Sequence, residues 1–394
     1  MAVANSNRLL QDTCSMSVLT TPTTLWTSEH LRALNIEPCH QIPLVDGKRL
    51  PHPLPGFDLW DLWPLQLADG TTAVVEGWTL WFVLSAPAGE DPEARHDFVR
   101  IRLMAARGGE WRDHGNALPD DLNPGSREWA GSALYDPETG AVTLYWTASG
   151  LRGEEPRTFI QRMFETTGTL TGDASAFAVE DWSEPREIAG GPNSHYVLVT
   201  AAEGVPGMIK GFRDPAHFRD PADGADYLLF TGSLKGSASP WNGCIGLLRR
   251  EGDGWAVLPP LLSADGLNNE QERPHIVFHA GRYYLFWSTQ RKVFAPGEPN
   301  GPNGLYGMVA ESMDGPWLPL NGSGLVAGNP PEAPVQTYSW WVTQELTVHG
   351  FVDYPNSLKG NDHGDAAWRR AHFAGVPAPV FRLVLDGTRA EVAA

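Results

Sequence analysis

Four tryptophans return in one setting along this chain. Trp111 follows Arg107-Gly108-Gly109-Glu110, Trp182 follows Val179-Glu180-Asp181, Trp255 follows Gly252-Asp253-Gly254, and Trp317 follows Asp314-Gly315-Pro316. Apolar runs at 99–104, 245–248 and 305–309 lead directly into three of them, and a longer loop separates the run at 159–164 from Trp182. Each copy reads as a strand, a polar turn and a Trp that opens the next strand. The copies lie about 70 residues apart, longer than the usual propeller blade of about 40–50 residues, so generous loops are expected at one rim.

A second set of landmarks keeps the same beat. Trp60-Asp61-Leu62-Trp63-Pro64, Glu128-Trp129-Ala130-Gly131-Ser132, Phe212-Arg213-Asp214-Pro215, Glu272-Arg273-Pro274-His275 and Tyr338-Ser339-Trp340 each precede a pair of strand-like runs. Hairpin signals lie between them, such as the turns Pro137-Glu138-Thr139-Gly140 and Ala280-Gly281. Helical periodicity is nearly absent. The pattern predicts an all-β chain, a five-bladed β-propeller over 55–394 with an N-terminal lead-in at 1–54 that packs on it. A β-sandwich with incidental Trp spacing is the competing architecture. Within the lead-in, 27–34 reads as a short helix behind a Thr or Ser cap. The stretch 354–378 reads as loop before a last strand at 380–385.

Composition narrows the function classes. Hydrophobic residues make up 42% and charged residues 19% of the 394, which suits a large core and argues against disorder. The formal net charge of −18 disfavours nucleic acid and anionic membrane as partners, and no apolar run is long enough to span a bilayer. Cys14, Cys39 and Cys244 are odd in number and far apart, which fits neither a disulfide framework nor a zinc site. Residues 1–27 lack the basic start and apolar core of a conventional signal peptide; the expectation is secretion by another route, with a cytoplasmic location as the alternative.

The landmarks place Asp61, Asp214 and Glu272 at one phase of the repeat, with Glu128 beside Trp129. Equivalent positions on innermost propeller strands converge at one end of the axis. Carboxylates gathered there cannot all ionise freely, and their pKa values separate. Glycoside hydrolysis uses that separation: one carboxylate attacks or stabilises, another donates a proton to the leaving oxygen. Arg213 and Arg273 adjoin two of the acids, while Trp60, Trp63, Trp129, Trp340 and Trp341 offer flat faces for sugar rings. Singly, an Asp before Pro is more often a turn former and a Trp beside a strand more often core. Their common phase is what favours a site.

These segments, together with Asn321-Gly322-Ser323-Gly324-Leu325, Gly328-Asn329-Pro330 and Tyr338-Ser339, resemble glycoside hydrolase family 68 in order and over residues from about 25 to 386. That family comprises levansucrases, inulosucrases and bacterial β-fructofuranosidases, and the likeness is to its Gram-negative subgroup. The resemblance implies a deep axial pocket for sucrose. Asp61 is then the nucleophile, Glu272 the general acid/base and Asp214 the transition-state stabiliser. Trp60, Trp129, Arg213, Glu270, Arg273, Gln290 and Tyr338 line the sugar subsites. Partners are sucrose and acceptor sugars; no cofactor is implied, and the oligomeric state is left open.

Five departures qualify the resemblance. Ala130 stands where many members carry Ser beside the nucleophile, and Ala216 where His is usual, with His217 one place later. Trp340-Trp341 replaces the commoner His with Tyr or Phe. Gln290 occupies a position usually basic in polymer-forming members, so short fructo-oligosaccharides and hydrolysis are expected over long levan. Asn269 replaces the Asp that calcium-bound members carry, so no structural metal is expected. An inulosucrase or mainly hydrolytic β-fructofuranosidase of the family, a non-catalytic sugar-binding propeller and an inverting arabinan-type glycosidase are the alternatives.

Overall fold

The computed structural model describes residues 23–200, 210–297, 299–360 and 364–393. They form successive antiparallel meanders. The first runs Phe57–Gln66, Trp78–Pro87, Arg100–Arg107, Glu110–Asn116, and the second Arg127–Asp136, Ala141–Ser149, Gln161–Thr171, Ala178–Glu180. The third runs Phe212–Arg219, Asp226–Ser233, Gly243–Glu251, Gly254–Ser263. In the next, Glu272–His279, Arg282–Thr289 and Gly304–Ala310 are followed by the short strands Leu318–Pro319 and Leu325–Gly328, both paired to Gly304–Ala310. The last meander is Thr337–Val342, Thr347–Val352, Phe381–Asp386, Arg389–Val392. The first strand of each meander lies against the first strand of the next, and Thr337–Val342 returns to Phe57–Gln66, closing the ring. This is a β-propeller.

The apolar runs make sense in that setting. A meander stacked between two others is covered on both faces, so its middle strands lose the usual in–out alternation. Trp78–Pro87 is buried at nearly every position, as is Gly304–Ala310 throughout. The Ala280-Gly281 hairpin needs positive φ at both central residues, and has 49° and 77°. Around the C-terminal ends of the innermost strands, Gln66, Leu134, His217, Ile276 and Val342 leave only about 10 Å³ of free space, no more than one water needs.

The landmarks lie inside the innermost strands, not ahead of them, and every one carries a break in register. Pairing skips between Leu59 and Leu62, Trp129 and Gly131, Arg213 and Ala216, Glu272 and His275, and Tyr338 and Trp341. A bulge re-aims the side chains it contains. Three of them use the left-handed region at non-glycine residues: Asp214 (φ 62°), Arg273 (φ 52°) and Ser339 (φ 60°). Such residues cost about 1–3 kcal/mol each and cluster at functional sites.

The helix expected near 27–34 is present as Ser28–Arg32, with Thr27 as its N-cap residue. Thr24–Leu25 pairs in parallel with Leu262–Ser263, and Trp26 is buried against Trp287, Phe294 and Tyr306. Two local expectations fail. Trp182 opens no strand: the strand Ala178–Glu180 ends before it, Asp181 turns at φ 53°, and the Trp182 indole N–H donates to Ala117 O at 3.0 Å. The stretch 354–378 is not all loop but holds the helix Ala366–His372 and the strand Val376–Pro377. Asp365 caps that helix by accepting from the N–H groups of Ala367 and Trp368, and Arg370 pins it to Asp58 at 2.8 Å. With no residue fully buried, it shows no apolar stripe to read.

Candidate active site

Asp61 and Asp214, inside their bulges, and Glu272, paired with Ser288 just before its own, form one electrostatic cluster. Burial raises the Asp61 carboxyl, and the Glu272 charge adds to the rise; Arg273, a hydrogen bond with the Ser339 side chain and Arg95 oppose it. Asp214 is pushed up to about 6, mainly by burial, with the charges of Glu272 and Asp61 adding and Arg213 and Thr231 opposing. Thr231 Oγ1 donates to Asp214 Oδ2 at 2.8 Å, and the Asp214 N–H donates to Thr147 Oγ1 at 2.8 Å. Both threonines sit on second strands of their meanders, so the αL turn at Asp214 is held from two sides.

Arg213 is the cation of the cluster. Its Nη2 donates to Glu272 Oε1 at 2.9 Å and lies 3.7 Å from Glu270 Oε1, while Nε is 3.7 Å from Asp214 Oδ2. Burial disfavours its charge, but the three carboxylates outweigh burial and hold it fully protonated. Tyr338 Oη donates to the second Glu272 oxygen, and the Gln290 side chain in turn hydrogen-bonds Tyr338. Burial and the Glu272 charge raise the Tyr338 phenol well above its usual range. Glu270 is raised to about 7, chiefly by burial and then by Glu272.

Arg273 does a different job from the subsite role expected of it. Its guanidinium is buried and donates to Ser339 O at 2.9 Å, Ser339 Oγ at 2.8 Å and Leu62 O at 2.6 Å. It thus ties three innermost strands together beneath the carboxylates. Burial lowers its pKa, opposed by Asp61, Asp214 and Glu272.

The aromatic expectations divide. Trp60 is buried, with His96 edge-on at 5.8 Å and the Arg95 guanidinium 5.4 Å from its ring centre. Trp129 is half-buried, and its indole N–H has no hydrogen-bond partner among the described residues. Trp63, Trp340 and Trp341 are core instead: Trp63 stacks on Phe82 and Trp341 on His275 at 4.4 Å. Glu128 also leaves the site. Its carboxylate accepts from Arg100 Nε at 2.6 Å and the Ile101 N–H at 2.7 Å, and burial raises it to about 7. His217, next to Ala216, pairs with Asp226 at 2.9 Å and stacks on Tyr145.

Ser339, inside the Tyr338 landmark but given no role by it, joins the site with two groups from outside the repeat. The Ser339 side chain hydrogen-bonds Asp61. Arg95 and Asp353 lie outside every landmark. Burial raises Asp353 to about 7, with Arg95 and Lys292 opposing. Only the Asp91 cap that starts the Pro92–Asp97 turn hints in the sequence that Arg95 and His96 are held in place. Among the described residues no group of three or more His, Cys, Asp or Glu side chains could hold a metal ion, and no helix is long and apolar enough to cross a membrane.

A propeller that gathers acids around a clamping arginine defines an enzyme of the glycoside hydrolase class. The chain belongs to the levansucrase/invertase family, glycoside hydrolase family 68, whose sequence profile matches residues 19–240 and 234–393. It is 30% identical to a levansucrase of Rahnella aquatilis, over 94% of each chain, and 31% identical to a levansucrase of Pseudomonas savastanoi pv. glycinea, over 96% of each. Among solved structures it resembles an inulosucrase from Halalkalicoccus jeotgali bound to kestose, at 36% identity and TM-score 0.85, covering 94% of this chain and 95% of that one. Bacillus subtilis levansucrase, 20% identical with TM-score 0.77, covers 94% and 95% and shares the fold.

Proposed function

We propose that this chain is a retaining fructosyltransferase that takes sucrose in an axial pocket of a five-bladed propeller, each meander counting as one blade. The observation that carries the reading is the doubly held Glu272, with Arg213 on one oxygen and Tyr338 on the other, in charge contact with Asp61 and Asp214. Asp61 attacks the anomeric carbon of the fructosyl unit as the bond to glucose breaks, and Glu272 gives its proton to the departing glucosyl oxygen. Glu272 then removes a proton from the incoming hydroxyl, which attacks that carbon and frees Asp61. In both steps Arg213 and Tyr338 hold the two Glu272 oxygens in place. Asp214 accepts from fructosyl hydroxyls as positive charge builds on the ring. Trp60, Trp129, Glu270 and Gln290 complete the sugar contacts, and Arg273 positions the bulges.

Water as acceptor gives hydrolysis and a sugar hydroxyl gives transfer. Gln290 spends its amide on Tyr338 and brings no charge to an acceptor, which supports short fructo-oligosaccharides and hydrolysis over long polymer. Incubation with sucrose tests both parts. Glucose release in excess of free fructose, with products of a few units, is the expected result. No glucose release contradicts the activity, and mainly high-mass fructan contradicts the product range.

A further inference from the structure

Lys210 lies three residues before Arg213, outside the groups given a role above. Its ammonium donates to three oxygens from separate segments: Pro240 O, Asn242 Oδ1 and, at 3.3 Å, Asn269 Oδ1. Asn242 and Asn269 are both buried. Asn269 is the residue directly before Glu270, and its N–H is fixed to Val293 O at 3.0 Å. From there the turn is rigid: Asn268 Oδ1 accepts from the Glu270 N–H at 2.8 Å and from Gln271 Nε2 at 2.7 Å, and Glu272 follows. The other end of Lys210 supports the same acids, because its carbonyl accepts from Gln161 Nε2 at 2.9 Å and from Arg213 Nη1 at 3.5 Å.

We propose that the Lys210 ammonium is a built-in cation that cross-links the 240–242 loop to the Asn268–Glu272 turn and so positions Glu270 and Glu272. Three converging oxygens repel one another unless a donor-only cation sits among them, and a charge-assisted bond to each is worth more than a neutral one. Lys210 is a positioning residue, and the role rests on the function proposed for Glu272. Lys210→Ala removes three methylenes and the ammonium, the shape of n-propylammonium.

The experiment measures glucose release from sucrose by the full-length Lys210→Ala and Lys210→Met variants, with and without n-propylammonium or tetramethylammonium, together with thermal midpoints. Lys210→Ala is expected to lose about ten- to a hundredfold in kcat with little change in KM, as small misplacements of catalytic groups do. n-Propylammonium restores activity several-fold and raises the melting midpoint of this variant alone; tetramethylammonium, which cannot donate, does neither. Lys210→Met keeps the packing of the stem, so it folds even if the Ala variant does not, and it is equally slow and deaf to both amines. Wild-type kcat in both variants, or equal effects of the two amines, overturns the proposal. If wild-type protein releases no glucose, the activity reading fails instead, and the midpoints alone still decide the cation's role.

Discussion

Asp214→Asn should make the protein more stable and nearly inactive. The carboxyl is buried and held up at about 6 against an ordinary 3.8. At about 1.4 kcal/mol per unit, the ionised form at pH 8 costs the fold about 3 kcal/mol, and Asn, which keeps the acceptor for Thr231, removes that cost. Because the folded pKa lies above the unfolded one, the folded state binds the extra proton between pH 4 and 6. The penalty is therefore complete above pH 6, shrinks as the pH falls and is gone near pH 4. Urea unfolding of both proteins at pH 8, 5 and 4 measures this. The variant leads by about 3 kcal/mol at pH 8, about half that at pH 5 and almost nothing at pH 4. A variant less stable than wild type at pH 8, or a gap that ignores pH, refutes the reasoning. Loss of activity alongside gain of stability is the trade expected where acids are crowded for chemistry.

Other outcomes follow from the same geometry. Asp61→Ala should abolish glucose release while leaving the melting midpoint within a few degrees, since no core cavity opens; near-normal turnover contradicts its role. Tyr338→Phe removes the donor to Glu272 and should lower kcat about ten- to a hundredfold with a smaller change in KM, read from initial rates on sucrose. Arg273→Lys loses the fork that ties Ser339 to Leu62 and should cost about 3 kcal/mol in urea unfolding. EDTA should leave the melting midpoint unchanged, and a drop would reveal a structural metal.

The repeat was legible because propeller strands are buried on both faces and announce themselves as apolar runs with turns at regular distances. The phase of Asp61, Asp214 and Glu272 was legible for the same reason. Their aim was not, since it depends on bulges that no propensity marks; the αL backbone at Asp214, Arg273 and Ser339 appears only in three dimensions. Glu128 shows the limit of phase alone. Glu272 is the last paired residue before its bulge, whereas Glu128 lies one residue earlier, before Trp129, so the alternation of the strand turns it to Arg100 and not the axis. Trp63, Trp340 and Trp341 were misjudged because an aromatic beside a site and one beneath it have the same sequence context. Arg95 and Asp353 lie outside every landmark, and Ser339, though inside one, meets its partner Asp61 only across strands. The helix Ala366–His372 escaped because Trp368 is its one large apolar residue, and ion pairs of Arg369 and Arg370 hold it beside that single contact.

The covalent step is the most direct test of the whole account. Wild-type protein turning over sucrose is quenched in acid, digested and weighed peptide by peptide. The peptide containing Asp61 should carry the mass of one fructosyl unit. A fructosyl adduct on any other residue, or none on Asp61 while glucose is being released, contradicts the assignment.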